Sequence, residues 1–361
     1  MTHPATLTVS LDALKRNNAT FARIAPNSRR AAVVKADCYG LGIEGILPAL
    51  VEIGYTHFFV AYPDEGVAVR QLLNALSLAA SDYAIYVLCD ITPATLPAYL
   101  EFSLTPVLNS LAQITLWHDT LWHEKGTPVL RPILQLDTGM NRCGLEETEW
   151  AKAAAMLTFP LSSIMTHLAC ADEPAHPLNI QQNQAFQRAF AYFPDCGKSL
   201  AASWGAFLGP DYHYDMLRLG TGLYGAMPHP AVENIVTLTT KILEVRHIDK
   251  GEAVGYGATY RSDGVKRVAT IALGYADGYP RELSNIGVMY IDEMAVPLIG
   301  RVSMDVITLD VTHIPADKAT VGSIVTVYGK QYTINSAATD ANTIGYEILT
   351  RLGRRVTRRY E

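Results

Sequence analysis

The chain of 361 residues contains no apolar stretch approaching the ~18 residues of a membrane-spanning helix. Its N-terminus, Met-Thr-His-Pro-Ala-Thr-Leu-Thr-Val, has no basic segment leading into an apolar one, so no secretory leader is read there. Positive charge is not in excess: a formal net charge of −6 gives no general reason to expect nucleic acid or a membrane surface as partner. These absences point to a cytoplasmic protein. Cysteine is scarce, and Cys38, Cys89, Cys143, Cys170 and Cys196 are odd in number and unclustered. That argues against a disulfide framework and against a Cys-rich zinc site, and leaves them as reduced, small core residues.

What the chain does have is apolar material, 49% of its residues, spread over a length sufficient for two cores. Up to about residue 230, strand-like apolar runs alternate with helical patterns, as a parallel α/β domain requires. Ser10 reads as the N-cap of a helix with Leu11, Leu14, Phe21 and Ile24 on its apolar face. Eight strands are expected, at 32–35, 57–61, 85–89, 105–108, 133–137, 163–167, 200–203 and 216–220, which makes the domain a (β/α)8 TIM-like barrel rather than an open sheet. Lys35, Asp137, His167, Ser203 and Arg218 gather at the C-terminal strand ends, the rim on which barrels build active sites. From residue 231 to 361 the texture becomes β-rich, with strands expected at 235–245, 268–273, 288–291, 306–311 and 323–328, giving a second, mainly antiparallel domain. The chain closes on a helical stretch at 343–352 and the basic tail Arg351, Arg354, Arg355, Arg358 and Arg359, expected as a solvated helix end or a subunit contact.

Lys35 follows Ala-Ala-Val-Val and precedes a Tyr-Gly-Leu-Gly loop. An ammonium beside buried valines must escape to solvent, lose its proton more readily, or be tied up covalently. The last option is the chemistry of a Schiff base, for which pyridoxal 5′-phosphate is the usual protein-held carbonyl; a lysine snorkelling from a strand end is the alternative. Across the barrel, Ser203 and the run Arg218-Leu-Gly220-Thr221-Gly222 would bring a hydroxyl and a glycine-rich turn to the place where barrels hold phosphate, although these glycines equally suit a tight turn.

Eight segments carry a more specific signal. Ala-Val-Val-Lys35-Ala-Asp-Cys-Tyr39-Gly-Leu-Gly resembles the cofactor-attachment motif of bacterial alanine racemases. The resemblance continues in order through Leu-Asp137-Thr-Gly-Met-Asn-Arg142-Cys-Gly, Met-Thr-His167-Leu-Ala, Leu-Arg218-Leu-Gly-Thr-Gly-Leu-Tyr-Gly, Val-Gly-Tyr256-Gly-Ala-Thr-Tyr260, Leu-Gly-Tyr275-Ala-Asp-Gly-Tyr-Pro-Arg281, Gly-Arg-Val-Ser-Met304-Asp305 and Ile-Gly-Tyr346-Glu. It implies a fold-type III pyridoxal-phosphate enzyme that interconverts L- and D-alanine, supplies D-alanine for cell-wall peptidoglycan, and works as a homodimer with shared sites.

Carried over motif by motif, the resemblance makes Lys35 the Schiff-base lysine and one catalytic base, with Tyr256 of the partner subunit as the other. It places the phosphate on Tyr39, Ser203, the backbone of Gly220 and Thr221, and Tyr346. Arg218 would face the pyridine nitrogen, with His167 between it and the catalytic tyrosine. Arg142 and the backbone of Met304 would bind the substrate carboxylate, with Tyr275 and Arg281 at the entry and Asp305 in support. By residue type alone, Tyr256 could be a turn aromatic and His167 a core histidine. A metal site of His167, Cys170 and Asp172 lacks a fourth ligand, and none is expected. Two positions depart from the family pattern. Gln135 stands where many members have a lysine that becomes carbamylated, and is expected to brace Arg142 through its neutral carbonyl oxygen; Ala202 stands where an asparagine precedes the phosphate serine. A serine or broad-specificity racemase is the nearest alternative activity. A cofactor-carrying regulatory protein lacks the second domain, and decarboxylases of this plan set a carboxylate where Arg218 stands.

Overall fold

The computed structural model describes residues 3–123 and 130–361, so Met1 and Thr2, the first two residues of the N-terminal segment considered above, lie outside the described residues. Its chain divides into two compact units, one of residues 18–38 and 43–222, the other of residues 1–17, 39–42 and 223–361. The first strand, β1 (Thr6–Val9), belongs to the second unit although it precedes the barrel in the chain.

Eight parallel strands form the first unit: β2 (Arg29–Val33), β3 (His57–Val60), β4 (Ala84–Val87), β5 (Leu104–Leu108), β6 (Ile133–Gln135), β7 (Ser163–Met165), β8 (Gly197–Ser199) and β9 (Met216–Leu219). They pair in the order β8-β7-β6-β5-β4-β3-β2-β9. The sheet closes on itself where Asp215 N–H donates to Lys198 O and Arg218 N–H to Ala201 O, each at 3.0 Å. Helices follow the strands, among them Ile43–Glu52, Pro63–Ala75, Leu111–His123 and Pro177–Arg188, so the expected barrel is present. Because strand side chains alternate, one residue from each of seven strands fills the interior: Ala31, Phe59, Tyr86, Val107, Ile133, Met165 and Met216.

Two strands differ from the sequence expectation. Pairing in β2 begins at Arg29 and stops at Val33, leaving Lys35 beyond the strand. β8 is Gly197–Ser199 rather than 200–203: Gly-Lys-Ser has no apolar period to read, yet its backbone pairs with β7, while the apolar run after it contributes only the isolated bridge Ala202↔Arg218. The cysteines also differ, since Cys38 is buried but Cys89 and Cys143 are exposed.

The second unit is organised by β10 (Val236–Ile248). Its first half pairs with β1 and with β17 (Ile324–Tyr328); after a bulge between Ile242 and Glu244 its second half pairs with β13 (Lys266–Ile271), all antiparallel. A hairpin of β11 (Ala253–Val254) and β12 (Tyr260–Arg261) precedes β13. β14 (Val288–Ile291), β15 (Met294–Pro297) and β16 (Ile307–Asp310) extend the sheet, and β18 (Thr357–Tyr360) adds to β1 in parallel. Of the basic tail, Arg351 ends the helix Gly345–Arg351 half-exposed, as a solvated helix end, whereas Arg358 and Arg359 lie in β18. The Arg358 guanidinium donates to the carbonyls of Gly40, Leu352, Gly353 and Val356, and the half-exposed Arg355 pairs with Asp277 and Asp305. Among the described residues no helix is long and apolar enough to cross a membrane.

β1 lies between β10 and β18 with Leu7 and Val9 fully buried. Leu7→Ala is expected to cost about 2–5 kcal/mol, read by urea denaturation with a probe in the second unit; an unchanged midpoint would contradict a central role for this N-terminal strand.

Candidate active site

The interior layer of the barrel is apolar, and two residues further along the strands, on the same side, the character turns polar. Val33 is followed in this period by Lys35, Ile133 by Gln135, Met165 by His167 and Met216 by Arg218. Lys35 opens an unusual segment. Ala36, Asp37, Cys38 and Tyr39 all have φ between 52° and 57°, one turn of left-handed helix made without glycine. Such residues cost about 1–2 kcal/mol each. Neighbours hold the turn: Cys38 N–H donates to Val34 O at 3.0 Å, Ala36 N–H to Glu65 Oε1 at 2.7 Å, and Asp37 Oδ1 accepts from Ile43 N–H at 2.7 Å. Burial, and then the charge of Arg142, pull the Lys35 amine below its ordinary pKa, while Cys89 and Glu65 act in the opposite direction.

Arg218 is 5% exposed and spends both terminal nitrogens on the barrel. Nη1 donates to Ser199 O at 3.0 Å and Ser199 Oγ at 2.7 Å; Nη2 donates to Thr166 O at 2.6 Å, Leu200 O at 3.2 Å and His167 Nδ1 at 3.2 Å. Nε–H is the one donor of this side chain that no hydrogen bond among the described residues uses. Arginine has no acceptor, so His167 Nδ1 must accept and Nε2 must carry the ring proton. Burial, then the charges of Arg218, Arg142 and Lys35, pull His167 down to about 3, so its ring is neutral at working pH. Burial alone brings Arg218 down to about 10, still far above neutral, and it remains a cation.

Ser203 Oγ accepts from Gly220 N–H and Gly222 N–H, both at 3.1 Å. Its two lone pairs are thereby filled and its own hydrogen is left to donate. Of the two backbone groups expected at the phosphate, the Gly220 N–H is thus engaged, and the Thr221 N–H is open among the described residues. Gly222 is the partner that the motif contained without revealing its role.

Arg142 is exposed on the loop after β6. Asp137 Oδ1 shapes this loop by accepting from Gly139, Met140 and Asn141 N–H at 2.8–3.1 Å, and the loop returns to the barrel where Leu145 N–H donates to Gln135 O. Gly144 has φ 115°, and a Cβ there would lie 2.8 Å from Asp137 N and from Gln135 Cγ. The expected Gln135–Arg142 hydrogen bond is not made among the described residues. Gln135 is 9% exposed and packs beneath Gly144, supporting the loop through its backbone and its side-chain stem rather than through its amide.

The remaining expected residues lie in the second unit. Tyr39 sits 5.2 Å from Tyr224 and 6.5 Å from Tyr346, centroid to centroid. Tyr256, 72% exposed, starts a short turn between β11 and β12 in which Gly255 and Gly257 have φ 72° and 73°. Added Cβ atoms on these glycines would approach Arg301, which places the Tyr256 turn against the segment leading to Met304. Met304 is 53% exposed, and its carbonyl accepts from Ala276 N–H at 3.0 Å while Tyr275 N–H donates to Ser303 O at 3.0 Å. Gly274 permits this approach, since a Cβ there would lie 2.2 Å from Met304 O. Arg281 opens a turn that Ser284 links to the same segment, with Ser284 Oγ accepting from Val302 N–H at 3.1 Å. Asp305 pairs with Arg355 at 2.8 Å, which also reaches the fully buried Asp277 at 2.9 Å. Tyr256, Tyr275, Arg281, Met304 and Asp305 thus share one connected set of loops. Ser199 and Glu65 were missed from sequence because neither stands in a motif, and the short strand Gly197–Ser199 has no apolar period that could have singled out Ser199. Among the described residues no group of three His, Cys, Asp or Glu could hold a metal ion.

Comparison with known proteins gives one answer along the whole chain. Residues 9–228 match the family description "Alanine racemase, N-terminal domain" and residues 235–360 match "Alanine racemase, C-terminal domain". The chain is 42% identical to a catabolic alanine racemase of Agrobacterium fabrum, covering 98% of this chain and 91% of the relative. It is 41% identical to an alanine racemase of Rhodospirillum rubrum, covering 99% and 96%. Among solved structures, alanine racemase from Bartonella henselae with covalently bound pyridoxal phosphate is similar with a TM-score of 0.90 at 35% identity, covering 99% of each chain. The biosynthetic alanine racemase of Pseudomonas aeruginosa gives 0.89 at 31% identity, covering 100% of each.

The His167 environment has a consequence for acid stability. An unfolded chain binds a proton on this histidine near pH 6.5, whereas the folded chain refuses it until about 3. Its contribution is therefore complete above pH 6.5 and is lost as pH falls from 6.5 toward 3, amounting to about 2 kcal/mol by pH 5. His167→Asn, which keeps an acceptor for Arg218, is expected to flatten that part of the stability–pH curve measured by urea unfolding. An unaltered slope would show that the ring is not held neutral.

Proposed function

The chain belongs to the alanine racemase family, and from that premise we propose how its residues interconvert L- and D-alanine. The protein is a pyridoxal-phosphate-dependent isomerase. The observation that carries the reading is the rim of the barrel, where an amine depressed by burial and by the charge of Arg142 shares the strand ends with a buried arginine that keeps one donor unused. The donor set fits the cofactor: Lys35 can supply an amine that gives up its proton more readily than usual, Arg218 Nε–H a donor for a ring nitrogen, and the Ser203 hydroxyl and Thr221 N–H donors for a phosphate. The family resemblance assigns Gly220, Tyr39 and Tyr346 to the same phosphate.

When bound, pyridoxal phosphate supplies the electron-withdrawing ring that makes the Cα proton of alanine acidic. Inversion at Cα needs an acid–base group on each side. Lys35 is assigned to one face, removing the proton from D-alanine through its uncharged Nζ, and the Tyr256 oxygen is assigned to the other, removing it from L-alanine. His167, neutral and carrying its proton on Nε2, is assigned as a donor that lowers the cost of a phenolate on Tyr256. Arg218 has only donors and keeps its own proton, so it holds an acceptor unprotonated. A weak sink of this kind favours return of the proton to Cα over side reactions. Arg142 and the Met304 backbone are assigned to the substrate carboxylate, with Tyr275 and Arg281 at the entry and Asp305 holding the Met304 segment.

We assign Tyr256 and Met304 to the site of a second copy, in a homodimer with shared sites. The supporting feature is that Tyr256, Met304 and Tyr275 expose large apolar surface on one connected set of loops. Cytoplasmic supply of D-alanine for peptidoglycan is the role this reading assigns to the enzyme.

Purified protein is expected to racemise alanine, and borohydride reduction with peptide mapping should place the cofactor on Lys35; labelling elsewhere would remove the assignment. Mixing inactive Lys35→Ala and Tyr256→Phe chains should restore up to about a quarter of wild-type activity, since half of the dimers are mixed and one of their two sites is intact. Confirmed subunit exchange without recovery would disprove shared sites. Tyr256→Phe alone should lose net racemisation while still exchanging the Cα proton of D-alanine with solvent, and parallel loss of both with cofactor retained would make Tyr256 structural.

A further inference from the structure

Glu65 is the third residue of the helix Pro63–Ala75, which follows β3 directly. Its Oε2 accepts from Ala61 N–H at 2.7 Å and Tyr62 N–H at 3.4 Å, holding the entry to its own helix. Its Oε1 leaves that helix and accepts from Ala36 N–H at 2.7 Å. Ala61 directly follows β3, Ala36 is the residue after Lys35, and β2 and β3 are neighbouring parallel strands in register at Val33 and Phe59. One carboxylate therefore ties two adjacent strand ends together, at the residue where the left-handed turn begins. All its donors are neutral N–H groups and no cation pairs with it among the described residues, so its negative charge stands uncompensated close to Lys35. The other charged or titratable groups facing the amine are Arg142, Cys89 and His167, with Cys143 and Asp90 beside Cys89. Glu65 is the carboxylate in that set acting on Lys35 itself, opposing Arg142.

We propose that Glu65 is a positioning residue for Lys35, its carboxylate clamping the first residue of the strained turn to the end of β3 and setting a fixed negative charge behind the amine. The inference rests on Lys35 being the catalytic amine, as assigned above. The role requires a carboxylate. A glutamine has one acceptor oxygen and an NH2 that would confront either Ala36 N–H or Ala61 N–H, and an aspartate keeps the charge but is one methylene too short to span both.

The experiment compares the wild-type holoenzyme with Glu65→Gln and Glu65→Asp by amide hydrogen exchange and by the pH dependence of kcat for D-alanine, which reports groups in the substrate complex, where the Lys35 amine is free. In Glu65→Gln the Ala36 amide is expected to exchange about tenfold faster or more, with kcat falling about tenfold and KM changing less than about twofold. The acid limb should move down by about half a pH unit, because losing a nearby negative charge disfavours the protonated amine. Glu65→Asp should return the limb to its wild-type position without restoring slow exchange. Wild-type exchange at Ala36 in Glu65→Gln would overturn the clamp. Faster exchange with an unmoved limb and unchanged kcat would overturn the connection to Lys35. Failure of the wild-type protein to racemise alanine would overturn the functional assignment instead, and the exchange comparison would still decide the clamp.

Discussion

A guanidinium buried without a carboxylate is the constraint on which the rest of the barrel rim depends. Arg218 has no ion-pair partner among the described residues, and an unpaired buried charge is costly, so the structure supplies five oxygen and nitrogen acceptors from Ser199, Leu200, Thr166 and His167. Those acceptors come from the ends of two neighbouring strands and the residues just beyond them, and the arginine reaches them from β9, beside the point where the barrel closes. The same side chain sets the tautomer of His167, adds its charge to the burial that keeps that ring neutral, and keeps one donor unused. A lysine in its place would offer a single rotating ammonium and could not hold this planar arrangement.

The second constraint is local and opposite in character. Lys35 emerges from β2 into four consecutive non-glycine residues of left-handed backbone. Such a run persists only where its surroundings over-determine it, and here the restraints come from Val34 O, the Asp37 side chain and Glu65. The strain fixes where the strand ends and directs Lys35 and Tyr39 from a single turn. Favourable packing below, in the seven-residue interior layer, supplies the stability against which this turn can be held.

The second unit applies similar economy to its arginines. Part of a tail that reads as a basic cluster becomes β18, where Arg358 terminates carbonyls, while Arg355 just before it pairs with the buried Asp277 and the exposed Asp305 beside the loops that carry Tyr275 and Met304. Gly274 lets the Tyr275 segment approach the Met304 carbonyl at a distance that any Cβ would forbid. The exposed tyrosine and methionine are thus borne on a rigid support although they are themselves solvent-facing.

Local pattern carried much of this. The alternation of apolar runs with helical segments marked a barrel, the change in texture near residue 231 marked a β domain, and Lys35, Arg142, His167, Ser203, Arg218, Tyr256 and Met304 stood in motifs whose order identified the family. Each of those signals is a property of neighbouring residues, which a sequence displays directly. Tertiary structure decided what depends on distant pairing. β1 and β18 joined the second sheet because Leu7 and Val9 needed a neighbour more than 200 residues away, and β8 was made by backbone bonds that Gly-Lys-Ser does not advertise. Gln135 turned out to pack under Gly144 rather than bond to Arg142, because loop closure and not amide chemistry governs its surroundings. Glu65 reached Ala36 and Ser199 reached Arg218 only when consecutive barrel strands were laid side by side, and hydrogen bonds between neighbouring strand ends leave no local trace in the sequence.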